Sequence, residues 1–354
     1  METIKRYFRP EQLREFSLVF LIVAIFLFFG SQIQGYFSPR IFNRVTSDVS
    51  IIAVVAMGET LVLLTRNYDL SVGSIVGVTA FFVGKQLSAN NDIPPALALA
   101  LAMGLGTLMG LVNGLIVSRG RVPSLIATLG TMAIYRSTLV SWPSNKIVVT
   151  NELPQWVIDL GGASAISIGG FNITPVLVIA LLVLVILYLV TSYLPFGRRL
   201  YAIGSNPEAA RLGGLPTDRI IMYAFALSGA LAGLGGFMFL IRYGNLTVEA
   251  AQGMELPVIA AAVVGGVSSN GGSGTMIGAL LGAFMINLLQ QSLLRWLQIS
   301  DFWVNAFLGA MILLAVTVDS VIVSRLRDVW ARTGLEMHSD EDKARTAKEE
   351  NRGA

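Results

Sequence analysis

The sequence predicts an all-α, polytopic membrane protein with about ten transmembrane helices and both termini in the cytoplasm. Of its 354 residues, 54% are hydrophobic and 13% are charged, whereas a soluble domain carries about 25% charged residues. Apolar runs of about 18 residues or more recur, and each is long enough to cross a hydrocarbon core of ~30 Å. Because these runs are continuous rather than alternating, a transmembrane β-barrel is disfavoured.

Ten membrane segments are predicted along the chain, and their order sets the topology. Two are short and are predicted either as short spans or as re-entrant half-helices, at 70–84 and 256–267. Alternation through all ten places most of the 25 lysines and arginines on the cytoplasmic side, as the positive-inside rule requires. The eight clear spans are 17–34, 49–65, 95–118, 122–140, 173–194, 220–241, 273–294 and 302–318.

The membrane domain, 17–323, lies between two short cytoplasmic ends. Residues 1–16 form the N-terminal segment, and the apolar run after them is interpreted as an anchor because it is long and lacks a small-residue cleavage site. Residues 324–354 are charged and poor in apolar side chains, which predicts a disordered tail. The longest loop on the opposite side, about 141–172, could support an external partner.

Composition excludes several kinds of chemistry. The chain has no cysteine, and its one histidine, His338, lies in the tail, so thiolate sites and histidine catalysis within the bundle are excluded. No GxxxxGK[ST] loop is present, and the glycine-rich turn at 268–274 lacks a lysine. An intramembrane enzyme is disfavoured because Lys85 and Lys146 lie in loops. We expect no catalytic residue, metal or cofactor in this chain.

Spaced glycines predict close helix packing. Gly106, Gly110 and Gly114 form one GxxxGxxxG repeat, and Gly274, Gly278 and Gly282 form another. Such spacing lets helix backbones approach each other in lipid.

Polar residues inside apolar runs are the candidate pathway residues. Buried ionisable groups in membranes face a cavity or a partner, so Glu59 is either a pathway residue or a structural acid. Asp69 and Ser71 are favoured as helix caps, with substrate contact by Asp69 as the alternative. Arg136 is expected to snorkel, and Glu255 is expected to face water. Asn113, Thr128 and Asn287 either hydrogen-bond between helices or line the polar path.

A polar segment, 202–213, interrupts the apolar pattern between two spans. Asn206 and Pro207 fit the N-cap and first position of a helix, and Gly213 with Gly214 fits its end. Taken alone, this is an ordinary loop helix with a Glu208–Arg211 pair. On the arginine-rich side of the bundle, it could also dock into a partner protein.

Five stretches in order resemble the membrane permeases of bacterial ABC importers for monosaccharides, the ribose/xylose/arabinose permease family. They are AMGETLV at 56–62, YDLSVGS at 68–74, PSLIATLGT at 123–131, GSNPEAAR at 204–211, and residues 263–274. The resemblance covers about residues 40–320. The variant Thr65-Arg66-Asn67 looks closest to the rhamnose and furanose-type quorum-signal branches. Glu59 departs from the small residue that is frequent in the family, which leaves the solute open.

The resemblance implies a permease of the bacterial inner membrane that works with partners. These are a cytoplasmic ATPase, an extracytoplasmic sugar-binding protein that can supply selectivity, and a second permease, identical or paralogous. It also implies that the helix near 205–213 inserts into a groove on the ATPase, with Glu208 and Arg211 as exposed contacts. The coupling residues expected on this basis are Gly204, Ser205, Asn206, Pro207, Glu208, Ala209, Ala210, Arg211 and Gly213.

The main alternative is a secondary transporter or channel that works without an ATPase. It predicts paired carboxylates or broken helices that form an ion site. Glu59 is the only acid deep in a long predicted span, which argues against proton coupling.

Overall fold

The computed structural model describes residues 10–141 and 147–297, with single helical positions at 303, 306, 307, 309, 310, 313 and 317. The predicted span 302–318 lies largely outside the described residues, and the tail 324–354 lies wholly outside them. The helices are α1 Pro10–Gln32, α2 Pro39–Leu63, α3 Val72–Ala89, α4 Pro95–Ser118, α5 Ser124–Val140, α6 Gln155–Gly162, α7 Pro175–Tyr193, α8 Pro195–Ser205, α9 Pro207–Leu212, α10 Thr217–Tyr243, α11 Glu255–Val264 and α12 Met276–Leu297.

Seven of these helices are long and apolar enough to cross a membrane: α1 from Arg14, α2, α3, α4, α7, α10 and α12. The chain is therefore a multi-pass helical membrane protein. The segment predicted at 70–84 is a helix of 18 residues, α3, which is long enough to span. The segment predicted at 256–267 is the 10-residue α11, about 15 Å long, which is too short to cross a bilayer.

Helix α2 begins at Pro39, ten residues before the predicted span at 49. Its first turns contain polar residues, which the predicted span does not include. The structure shows why they do not end the helix: the Ser47 hydroxyl donates to the Asn43 carbonyl at 2.8 Å, and the Ser50 hydroxyl donates to the Thr46 carbonyl at 2.6 Å. Each hydroxyl is satisfied by the preceding turn of its own helix.

The core is built on a close contact between α4 and α10. A β-carbon at Gly106 would overlap the Gly229 carbonyl, and one at Gly110 would overlap the Phe225 carbonyl. The first predicted glycine repeat is thus confirmed as a packing surface. The second is confirmed only in part, since Gly278 contacts Gly265 beside α11, whereas Gly274 precedes α12.

The connections at one end of the bundle carry short strands. β1, Ile147–Val148, pairs antiparallel with β4, Leu246–Thr247. β2, Ile166–Ile168, pairs antiparallel with β3, Phe171–Ile173. The second hairpin is fixed to the start of α2, because the Asn172 N–H donates to Asn43 Oδ1 at 2.8 Å.

Candidate functional site

The polar segment between α7 and α10 forms two helices, α8 and α9, which are separated at Asn206. The predicted caps are present: Asn206 Oδ1 accepts from the Ala209 N–H at 3.0 Å, Pro207 opens α9, and Gly213 follows its last residue. The prediction of one helix over 205–213 is wrong at its start, because Gly204 and Ser205 end α8. The cause is Pro207, which disfavours helical backbone at the residue before it.

Helix α9 presents most of its surface to solvent. Pro207, Glu208 and Ala209 are exposed, as are Arg211 and Gly213, whereas Ala210 packs inward. Leu212 is 85% exposed. Arg211 does not form the expected pair with Glu208; it lies 3.6 Å from Asp218, in a solvent-exposed ion pair of a kind that contributes little to stability.

The end of α8 is attached to the turn that follows α2. Arg66 Nε donates to the Gly204 carbonyl at 2.5 Å, and Arg66 Nη2 donates to the Ser205 carbonyl at 2.8 Å. Gly204 packs directly on the Leu64 carbonyl, where no side chain fits. Arg66 itself has φ 65°, a conformation that is uncommon outside glycine. We call these two hydrogen bonds the Arg66 clamp.

A buried polar network surrounds the same turn, and it contains four of the predicted pathway residues and their neighbours. Glu59 Oε1 accepts from the Asp69 N–H at 3.0 Å. Asp69 Oδ1 accepts from the Ser71 N–H at 2.9 Å and from its hydroxyl at 2.6 Å. Asn113 Nδ2 donates to the Ser71 hydroxyl at 2.7 Å. Thr128 lies beside this network, and its hydroxyl donates to the Ser124 carbonyl at 2.8 Å.

This network joins the start of α3 to α2 and α4. Asp69 Oδ1 accepts from the Ser71 N–H just before α3, and Ser71 occupies the N-cap position without a side-chain cap bond. The prediction that these two side chains cap α3 is therefore wrong. Burial raises the pKa of the Asp69 carboxyl, and hydrogen bonds from Ser71 and Asn113 oppose that rise. Glu59, Asp69, Asn113 and Thr128 have 0% exposure, so a role in the pathway stays a prediction for them.

A cavity of about 730 Å³ lies at the other end of α2, between α2, α10 and α12. Asp48, which lines it, is roughly 24 Å along the helix from Leu64 at about 1.5 Å per residue. We call it the α2–α12 cavity. Its polar lining residues are Arg44, Asp48, Tyr243, Glu249, Gln252, Asn287, Gln290, Gln291 and Arg295. Arg242 does not line the cavity but pairs with Asp48, which does.

The polar groups of the α2–α12 cavity hold one another in place. Arg242 Nε donates to Asp48 Oδ1 at 3.0 Å, and Gln291 Nε2 donates to Asp48 Oδ2 at 3.0 Å. The same Gln291 Nε2 donates to Asn287 Oδ1 at 2.9 Å. Asn287 is therefore the one predicted pathway residue that this cavity contains, while Asp48, Arg242, Gln290 and Gln291 were missed by sequence reasoning.

A signal for the missed residues exists in the sequence. Asn287, Gln290 and Gln291 have the i, i+3, i+4 spacing of one helix face, within an otherwise apolar run. Asp48 was missed because the predicted span began one residue after it. No comparable signal marks Arg242, which lies in the last turn of α10.

Arg136 and Glu255 lie in environments that differ from those predicted for them. Arg136 does not snorkel; its Nη1 donates to the Ala250 carbonyl at 2.8 Å. Glu255 does not simply face water, because it is half-buried at the start of α11. The cause is the close packing of α3 at Gly73, where a β-carbon would overlap Glu255 Oε2. Both side chains therefore belong to the packing of the loop before α11.

Known proteins support a transport role. The chain matches the family described as "Branched-chain amino acid transport system / permease component" over residues 41–316. No solved structure matches it.

Several relatives carry the name "Autoinducer 2 import system permease protein LsrC", including those of Yersinia enterocolitica, Escherichia coli and Salmonella typhi. The protein of Yersinia enterocolitica (serotype O:8 / biotype 1B) is 36% identical over 305 residues, covering 86% of this chain and 82% of that protein. The proteins of Escherichia coli (strain K12 / DH10B) and Salmonella typhi are 35% and 37% identical, with coverage of 86% of this chain and of 86% and 85% of theirs. The chain belongs to this family of transport-system permease components.

Proposed function

We propose that this chain is the permease subunit of an ATP-driven importer in a bacterial cytoplasmic membrane, and that α9 couples it to a separate ATPase. The solute is a monosaccharide or a related small polar molecule. The names of the relatives support an importer and make autoinducer 2 the first solute to test. The single observation that carries the coupling role is α9 itself, a capped helix with an exposed carboxylate and an exposed apolar end.

The surface of α9 has the composition of a docking helix. Leu212 exposes apolar surface that gains stability only when another surface covers it. Glu208 is exposed and has no ion-pair partner among the described residues, so it can pair with a basic group on an ATPase. The Arg66 clamp attaches the end of α8 to the turn that follows α2. A movement of α9 would therefore be transmitted to the membrane domain and would not be absorbed by a flexible loop.

The remaining architecture of the proposal follows the family resemblance. About ten spans place both termini and α9 in the cytoplasm. A second permease, identical or paralogous, completes the pathway, and an extracytoplasmic binding protein delivers solute to the end that holds the α2–α12 cavity. The alternative is a secondary transporter or channel, in which α9 would be an ordinary loop helix.

The test is to purify the tagged chain from its native membrane in mild detergent and to assay the preparation for ATPase activity. Glu208→Lys reverses the charge in the first turn of α9 and should lose the ATPase while inserting normally. Glu152→Lys is the matched control, because Glu152 is also exposed but lies at the other end of α10. An intact wild-type preparation without any ATPase would favour the secondary transporter, and capture by Glu208→Lys would reject the docking role of α9.

A further inference from the structure

We propose that a pocket between the first turns of α2 and α7 binds the phosphate of an anionic phospholipid, at the end of the bundle opposite α9. We call it the arginine pocket, after Arg40 and Arg44 of α2 and Arg242 of α10, which line it. The inference rests on the proposed function only for its placement on the extracytoplasmic side. It goes beyond that function, because transport of a solute does not require a lipid site.

The arginine pocket carries positive charge that the described part of the chain does not neutralise. Arg40 and Arg44 are exposed and one helical turn apart, a spacing at which like charges destabilise a helix. Neither forms an ion pair with a described residue, although Arg44 also lines the α2–α12 cavity together with Glu249. Arg242 is paired with Asp48 at 3.0 Å. The described lining residues include no aspartate or glutamate, so a bound anion would replace repulsion by attraction.

The uncharged polar groups of the pocket wall are already hydrogen-bonded to one another. Asn43 Nδ2 donates to the Gly170 carbonyl at 3.0 Å, and Asn43 Oδ1 accepts from the Asn172 N–H at 2.8 Å. The hydroxyls of Ser47 and Thr174 lie 3.2 Å apart, within hydrogen-bonding distance. These contacts hold the β2–β3 hairpin and the start of α7 against α2, so the pocket is preformed. The guanidinium groups are left for a ligand, and their planar forks match the oxygens of a phosphate.

The arginine pocket lies where membrane-spanning helices meet the headgroup layer. Helix α7 is apolar enough to cross a membrane, and its first residue, Pro175, lines the pocket. Ile241 and Arg242, in the last turn of α10, line it as well. Headgroups occupy a layer of roughly 5–7 Å outside the hydrocarbon core. The volume of about 500 Å³ can hold a small headgroup. Lysine and arginine are normally in excess on the cytoplasmic side, so three arginines in one extracytoplasmic pocket indicate a local anion.

The β2–β3 hairpin adds an exposed apolar face beside the pocket. Ile166 and Ile168 point to one side of β2, and Phe171 of β3 pairs with Ile168 on that side. These three side chains are 52%, 72% and 44% exposed, and the Phe171 ring packs on Phe42 of α2. Asn172 lies on the other face of the hairpin and lines the pocket.

A lipid accounts for both halves of this surface. Apolar side chains beside basic ones are typical of elements that lie at the boundary between headgroups and acyl chains, and the acyl chains would cover the apolar face of the hairpin. A soluble anion, or an acidic side chain of a protein partner, would account for the arginines alone. The observations therefore favour a phospholipid.

Thermal unfolding of the purified full chain in a neutral detergent tests the site. The probes are dioleoylphosphatidylglycerol, dioleoylphosphatidylcholine and sn-glycerol 3-phosphate, in separate titrations. A ligand that binds only the folded chain raises its Tm once the ligand concentration exceeds the Kd. We expect phosphatidylglycerol to raise the Tm and phosphatidylcholine, which carries its own cation, to leave it unchanged. Glycerol 3-phosphate lacks acyl chains and should require a concentration about tenfold higher or more.

Arg40→Gln combined with Arg44→Gln should raise the Kd for phosphatidylglycerol about tenfold or more. With phosphatidylcholine, the Tm of this variant should equal or exceed that of the wild type, because the substitutions remove a like-charge pair. Arg198→Gln combined with Arg199→Gln is the matched control, since both arginines are exposed on α8 at the other end of the bundle. An equal loss of affinity in the control would show attraction by net charge alone and would overturn the inference.

Ile168→Asn tests the apolar face, with Ser167→Asn on the opposite face of the same strand as its control. Only Ile168→Asn should weaken binding of phosphatidylglycerol, and neither should change binding of glycerol 3-phosphate. Equal affinity of the wild type for these two probes would assign the pocket to a soluble phosphate ester. Unchanged lipid binding by the variant that lacks both arginines, with lost capture of an extracytoplasmic binding protein, would assign the pocket to that protein. Either result would overturn the lipid assignment. The titrations need no ATPase, so failure of the proposed coupling would not change their outcome.

Discussion

Removal of the Arg66 clamp should separate solute transport from ATPase binding. Arg66→Gly is the sharpest perturbation, because glycine adopts the φ of 65° without strain and the turn is preserved. The two hydrogen bonds to the carbonyls of Gly204 and Ser205 are lost, together with the packing of the Arg66 side chain beside Gly271. The end of α8, and α9 after it, is then held to the turn between α2 and α3 only by packing, such as that of Gly204 on the Leu64 carbonyl.

The size of the effect follows from the two contacts. A hydrogen bond that involves a charged group contributes about 1.5–3 kcal/mol, and the bond to Ser205 is exposed and therefore weaker. The pair together is worth about 2–4 kcal/mol on this scale. At about 1.4 kcal/mol per factor of ten, the attached state becomes about 30- to 700-fold less favoured.

Two measurements follow the clamp. Hydrogen exchange of the backbone amides over 202–213 should speed up in Arg66→Gly, and solute uptake should fall while ATPase capture persists. Arg121→Gly is the matched control, since Arg121 also has a positive φ, 54°, and lies near α9 at the same end of the bundle. Unchanged exchange and normal uptake in Arg66→Gly would refute the reasoning, as would an equal effect of Arg121→Gly.

Substitutions of three further residues, Gly110, Asn206 and Glu59, test other contacts. Gly110→Leu should abolish stable expression because its side chain would meet the Phe225 carbonyl, whereas Gly104→Leu, with open space around it, should be tolerated; thermal unfolding in detergent compares them. Asn206→Ala should weaken α9 by about 1 kcal/mol and reduce ATPase capture without loss of insertion, and full capture would argue against the cap. Glu59→Leu should destabilise the fold by about 1–3 kcal/mol, because it leaves the Asp69 N–H without its acceptor. Glu59→Gln keeps an acceptor and should alter transport more than expression; a defect in expression alone would favour a purely structural acid.

Local signals in the sequence predicted much of the fold. The span 95–118 matches α4 at both ends, because Pro95 opens the helix and an arginine follows its last residue. The caps of α9 were also predicted, since an Asn-Pro pair and a Gly-Gly pair act within a few residues. Such signals do not depend on what the rest of the chain does.

Features that depend on distant contacts were not predictable in the same way. Helix α11 ends where Gly265 packs on Gly278 of α12, a contact between distant segments that no local pattern indicates. Asp48 is tolerated at the start of a span because Arg242, nearly 200 residues away in sequence, neutralises it. Glu59 looked like a pathway residue as an isolated acid, and only the Asp69 backbone shows what it bonds.

The contact between α4 and α10 also limits how the sequence can change over evolutionary time. In most helix pairs a larger side chain on one helix is accommodated by a smaller one on the other, so paired positions covary. Here Gly106 faces Gly229 and Gly233, and Gly110 faces Gly229. The opposing residue is already glycine, so it has no side chain that a substitution could shorten. A larger residue at one of these positions cannot be accommodated by a substitution on the other helix. Among homologues they should be individually invariant rather than correlated, and methods that infer contacts from covariation should miss the contact between α4 and α10.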